Sequence, residues 1–184
     1  MPRDIRIKIC GLREAAHIDA AVASGAAYVG LNFFPTSPRS VTYDQAAILA
    51  QSVPVGVAKV ALVVNPSDAE LDALLAKVPT DIVQLHGAEP PERVAEVKAR
   101  TGLPVMKALG LADADDLPAL DRYGAVADLL LVDAKPPKGG ALPGGNGLTF
   151  DWTLLQGRRW PVPCPRTRRN TSPGRSRRSP TAPA

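Results

Sequence analysis

Residues 57–85 read VAKVALVVNPSDAELDALLAKVPTDIVQL, and this stretch decides the fold. It opens with an almost continuous apolar run, Val57–Val64, and closes with a second, Asp81–Leu85. Runs of this kind suit strands of a parallel sheet, whose two faces are both covered, better than the in-out alternation of a half-exposed strand. Between them Leu71, Leu74, Leu75 and Val78 fall at i, i+3, i+4 and i+7, one apolar stripe of a helix. Ser67 precedes Glu70 by three positions, the spacing at which hydroxyl and carboxylate satisfy each other's exposed backbone N–H groups. The stretch is one strand–helix–strand unit.

Working outward, the same unit recurs. Further strand-like runs are Ile5–Ile9, Ala27–Phe33, Pro104–Leu109 and Ala127–Val132. A second capping box pairs Thr42 with Gln45. The first helix is expected from about Glu14 to Ser24, ended by Gly25, and has Leu12 and Arg13 where a capping side chain would stand. Six strands recur at intervals of roughly 25 residues, the period of a β/α repeat. Right-handed crossovers then wind a parallel sheet. The pattern alone leaves two architectures open, a closed eight-stranded barrel and an open doubly wound sheet. No GxGxxG follows the first strand, which favours the barrel. The expected class is therefore α/β, a (β/α)8 barrel type of which about six βα units are present and the last two strands are missing or replaced.

Composition narrows the function classes. Hydrophobic residues make up 45% and charged residues 22%, ordinary for a globular domain, while aromatics at 4% leave the core to Val, Leu, Ile and Ala. The net charge of +4 is unevenly placed: residues 1–156 hold 14 Lys/Arg against all 18 acids, and residues 157–184 hold 8 Arg and no acid. The body is mildly acidic, so the basic balance does not argue for nucleic-acid binding. Cys10 and Cys164 form no CxxC or Cys/His cluster, and His17 and His86 are the only histidines, so neither a disulfide scaffold nor a zinc site is expected. No signal peptide and no membrane span is visible, and a cytoplasmic protein is expected.

In a parallel β/α fold, functional side chains gather where strands end and loops begin. Those positions are Lys8-Ile9-Cys10-Gly11, Phe34 to Arg39, Gln84-Leu85-His86-Gly87, Lys107, and Asp133 followed by a loop containing Gly139-Gly140. Taken singly, each has an ordinary reading: Cys10 as a small buried residue, Asp133 as a cap, Arg39 as a loop charge, His86 as a structural histidine.

Taken together they do not. KICG at 8–11, GLNFFPTSPRSV at 30–41, VQLHG at 83–87, LLLVDAKPPKGG at 129–140 and GLTFDW at 147–152 resemble, in order and spacing, the phosphoribosylanthranilate isomerases. That family converts N-(5'-phosphoribosyl)anthranilate to its 1-deoxyribulose form by an Amadori rearrangement in tryptophan biosynthesis, without a cofactor. The resemblance implies Cys10 as the base that takes the ribose C2 proton and Asp133 as the acid that protonates the ring oxygen. It implies that Arg39 meets the anthranilate carboxylate and that His86 contacts or orients the substrate. Gly139 and Gly140 would let the backbone approach the substrate closely. Lys8, Gln84 and Lys107 are second-tier candidates. Lys8 shares a strand face with Cys10, where its ammonium favours a thiolate. Lys107 is expected to line the barrel or to pair with an internal carboxylate. Asp133 is expected to need a raised pKa.

A change of composition closes the chain. Domain boundaries are expected at 1–160 for the partial barrel and 161–184 for a Pro/Arg/Ser-rich tail with too little to bury to remain ordered. The family's two phosphate loops have no counterpart there, and the alternative reading is an inactive frameshifted or truncated fragment of the same enzyme. A related imidazole-pathway isomerase is disfavoured because it would carry an aspartate where Cys10 stands. A nucleic-acid-binding role for the tail lacks aromatic interleaving. The expected partner is a small phosphoribosyl substrate, with no nucleic acid and no membrane.

Overall fold

The computed structural model describes residues 5–135 and 149–157. Six strands, β1 (Lys8–Cys10), β2 (Tyr28–Asn32), β3 (Ala58–Val63), β4 (Ile82–Leu85), β5 (Val105–Leu111) and β6 (Leu129–Ala134), alternate with five helices. These are α1 (Ala15–Ala23), α2 (Tyr43–Gln51), α3 (Asp68–Lys77), α4 (Pro91–Thr101) and α5 (Leu117–Gly124). All neighbouring strands pair in parallel, in the order β1-β2-β3-β4-β5-β6. A doubly wound sheet reverses its strand order at a switch point. Here the order never reverses, so the strands build a half-barrel and the open-sheet alternative falls.

The helices form where their ends are satisfied. Both capping boxes are present: Gln45 N donates to Thr42 Oγ1 while Thr42 N donates to Gln45 Oε1, and Ser67 and Glu70 exchange the same pair. Glu14 is the N-cap of α1 and makes no side-chain cap bond, as its entry residues led one to expect. Val78, the last residue of the sequence stripe, is the C-cap of α3 and is buried beyond it.

Three strands, β1, β5 and β6, differ from expectation at their ends. β1 is shorter than Ile5–Ile9 because its ladder with β2 opens only at Lys8↔Tyr28; Ile5 and Ile7 stay exposed at 79% and 49%. β5 and β6 run two residues further than expected, since Gly110 and Leu111 continue to pair with Asp133 and Ala134. Asp133 thus lies inside β6, not after it.

Strand alternation sorts the core into two layers. Val29 and Leu31 of β2 pack with Ile18 and Ala21 of α1 and Ala46 and Leu49 of α2. Val83, Leu85 and Val105 pack with Leu71 of α3 and Val94 and Val97 of α4. On the opposite, helix-free face, Tyr28, Val60, Ile82 and Met106 form their own cluster, with Leu129 and Leu131 against it. Cys10, Gly30, Gln84 and Asp133 belong to this inner face by register: Cys10 pairs with Gly30, Gly30 with Val60, Gln84 with Met106, and Asp133 lies two positions beyond Leu131. Gly139, Gly140 and the expected tail at 161–184 lie outside the described residues.

Candidate active site

The inner face delivers its chemistry at the C-terminal rim of the strands. Cys10 is the last residue of β1, a half-buried free thiol. Its Sγ and the Lys8 Nζ both converge on Gly30 of β2: a Cβ built on Gly30 would stand 2.8 Å from the sulfur and 3.2 Å from the ammonium nitrogen. Lys8 and Cys10 therefore share a face, as their spacing implied, and Gly30 is what leaves room for both. Sequence reading passed over Gly30, because a glycine inside a strand announces a close approach without naming the neighbour.

Arg39 reaches the same strand end by way of the loop that joins β2 to α2. Buried Asn32 holds that loop: its Nδ2 donates to Ser37 Oγ at 3.0 Å and its Oδ1 accepts from Phe34 N at 2.8 Å. Ser37 Oγ accepts in turn from Arg39 N, and Arg39 Nη1 donates to the Cys10 carbonyl at 3.2 Å. Gly11, at φ +80°, admits the approach; a side chain there would meet the Arg39 Cδ at 2.8 Å. The guanidinium is exposed and keeps donors for an incoming carboxylate.

At the mouth of β4, Gln84 Nε2 lies 3.1 Å from His86 Nδ1. With the amide nitrogen donating, Nδ1 accepts and Nε2 carries the proton, aimed at Asp133 Oδ2 3.9 Å away. That gap exceeds a hydrogen bond but leaves the imidazole within the field of the carboxylate. Burial holds the imidazole below its ordinary pKa of 6.5; Asp133 pulls upward, and the Lys107 and Lys8 ammoniums push further down. His86 is thus a neutral donor at neutral pH. Gln84 is 1% exposed, and among the described residues its Oε1 meets no donor. Asp133 Oδ1 accepts from Ala134 N at 2.9 Å.

Lys107 does not line the barrel. It aligns with Leu85 on the helix-facing side of β5, 1% exposed, with Nζ 2.7 Å from Glu89 Oε2. The second expectation for it, an internal carboxylate partner, is the one that holds. Glu89 and its contact Asn65 were missed; a lysine in an apolar strand demands a counter-ion but does not say which. Among the described residues no three His, Cys, Asp or Glu side chains gather as a metal site requires. A cavity of about 570 Å³ lies beside the rim, between the loops after β2 and β3, and none of the candidate residues lines it.

Residues 7–161 match the family model described as N-(5'-phosphoribosyl)anthranilate (PRA) isomerase. The N-(5'-phosphoribosyl)anthranilate isomerase of Paracoccus denitrificans is 69% identical over 154 residues, 84% of this chain and 72% of that protein. The corresponding protein of a Ruegeria species is 61% identical over 161 residues, covering 87% and 75%. Among solved structures, phosphoribosyl anthranilate isomerase from Thermotoga maritima superposes with a TM-score of 0.75 at 31% identity, covering 86% of this chain and 74% of that one. A further structure, at TM-score 0.63 and 30% identity over 71% of this chain and 65% of that one, holds reduced 1-(o-carboxyphenylamino)-1-deoxyribulose 5-phosphate.

Proposed function

The chain belongs to the N-(5'-phosphoribosyl)anthranilate isomerase family, isomerases of tryptophan biosynthesis, and from that premise we propose how its own residues divide the Amadori rearrangement. Asp133, protonated, gives its proton to the ribose ring oxygen; the C1–O bond breaks and the anthranilate nitrogen is left as a protonated Schiff base. Cys10, as thiolate, takes the C2 proton, and the electrons of that bond neutralise the iminium to an enol-amine. Tautomerisation, one proton leaving the C2 hydroxyl and one reaching C1, completes the ketose.

The observation that carries this assignment is the shared face: Cys10, His86 and Asp133 stand at the C-terminal rim of β1, β4 and β6, with His86 Nε2 3.9 Å from Asp133 Oδ2. Once Asp133 has given up its proton, the His86 Nε2–H is placed to stabilise the carboxylate left behind. Arg39, fixed to the Cys10 carbonyl, offers a planar fork to the anthranilate carboxylate. The substrate is a small phosphoribosyl compound. Among the described residues no helix is long and apolar enough to cross a membrane. We further propose that the protein works in the cytoplasm, where a lone thiol acting as a base stays reduced.

Turnover of N-(5'-phosphoribosyl)anthranilate by Cys10→Ala and Asp133→Asn tests the roles. Each is expected to fall by about 10²–10⁴, the range for a lost acid or base; unchanged rates would remove the assignment.

A further inference from the structure

We propose that Glu89 is a positioning residue for this reaction: with Lys107 and Asn65 it holds the backbone on both sides of His86 and so sets the aim of the imidazole at Asp133. The inference rests on His86 belonging to the site.

Glu89 is 3% exposed and its carboxylate draws on three separate parts of the chain. Oε1 accepts from Asn65 N in the loop after β3 at 2.7 Å. Both oxygens accept from Gly87 N in the loop after β4, at 3.1 and 2.9 Å. Oε2 accepts from Lys107 Nζ on β5 at 2.7 Å. The same ammonium donates to the carbonyls immediately before and after His86, Leu85 O at 3.4 Å and Gly87 O at 2.7 Å. His86 N itself donates to Val63 O at 2.9 Å. Every peptide group flanking the histidine is therefore tied to a fixed partner.

The third member closes the clamp from outside. Asn65 stands in the left-handed region at φ 46°, and its Oδ1 accepts from Ala88 N at 2.8 Å. The two loops approach so closely that a Cβ on Gly87 would lie 2.8 Å from the Asn65 backbone nitrogen. A buried ion pair contributes little net stability compared with apolar packing. This one spends its hydrogen bonds on the main chain around a single side chain at the rim, which is what a device for direction, not for cohesion, requires.

The chain has two histidines, so the ring resonances of His86 are resolved with one neighbour to subtract. Imidazole nitrogen NMR and steady-state kinetics are to be measured on Glu89→Gln and Asn65→Gly, alone and in a His86→Gln background. Asn65→Gly keeps the left-handed turn and leaves the buried Lys107–Glu89 charges paired, so it stands in if Glu89→Gln does not fold. Expected are a kcat lowered about tenfold or more by Glu89→Gln, with KM within about twofold, and a His86 ring shifted away from its Nε2–H form. Asn65→Gly should change both in the same direction by less. In the His86→Gln background the kcat loss should shrink to within about twofold, because a residue acting through another adds nothing once that residue is gone. Unaltered ring signals in both variants, or an undiminished loss without His86, would overturn the proposal. Wild-type turnover in His86→Gln alone would instead refute the placing of His86 in the site, and the ring spectra would still decide the clamp.

Discussion

His86 and Asp133 face each other from the mouth of β4 to the penultimate residue of β6, Nε2 to Oδ2 at 3.9 Å, with the histidine side chain 15% exposed and the aspartate 32%. Burial of the ring outweighs the attraction of the carboxylate, and the imidazole titrates below 6.5.

A pH dependence of stability follows. The unfolded chain takes up the His86 proton near 6.5, while the folded chain resists it to lower pH. The unfolded state therefore binds more protons in that interval, and stability must fall as pH drops from 6.5 through the folded pKa. Above 6.5 both states are neutral at this group and its contribution is constant. Denaturant unfolding from pH 8 to pH 5, compared with His86→Gln, checks this: the variant should lose part of the acid-side decline. Parallel curves would contradict it.

Gly30→Ala should impair chemistry while the fold survives. Alanine suits a strand backbone, but its methyl would press the Cys10 Sγ at 2.8 Å and the Cys10 Cα at 3.2 Å. A thiol displaced by even part of an ångström loses its line to the reacting carbon, and kcat is expected to drop about 10–100-fold. Circular dichroism unchanged beside that loss is the expected pair of results.

Arg39→Lys should weaken substrate binding more than it slows turnover. The lysine keeps the charge but loses the fork and the Nη1 bond to the Cys10 carbonyl. A KM raised about tenfold with kcat within about threefold is expected. The reverse split would place Arg39 in the chemical step.

Lys107→Ala leaves the Glu89 carboxylate buried without its ammonium, both side chains being 1% exposed. A loss of about 3–5 kcal/mol in unfolding free energy is expected. Adding Glu89→Gln to Lys107→Met should leave a smaller deficit than Lys107→Ala alone, since no unpaired charge then remains. Equal deficits would show that packing, not charge, dominates there.

Much of the fold was legible because its signals are short-ranged. Thr42 with Gln45 and Ser67 with Glu70 are boxes in the sequence and boxes in space. Gly102 ends α4 in the left-handed region at φ 65°, and Gly25, expected to end the first helix, stands at φ 85°. Strand centres matched their apolar runs, while strand ends slipped at β1, β5 and β6. An end depends on whether the neighbouring strand still offers partners, as Gly110 and Leu111 do for Asp133 and Ala134.

By itself the sequence determined the repeating β/α unit, the helix caps and the family, and it nominated nine candidate residues, because periodicity, capping and motifs act over a few positions of chain. Only the tertiary structure decided that Lys107 turns to the helix side, that Glu89 of all the acids answers it, and that Gly30 makes room for the thiol. Those outcomes join residues 18 or 20 positions apart. Register across parallel strands, and the cost of a buried charge without its opposite, select such partners, and neither exists until the strands have met.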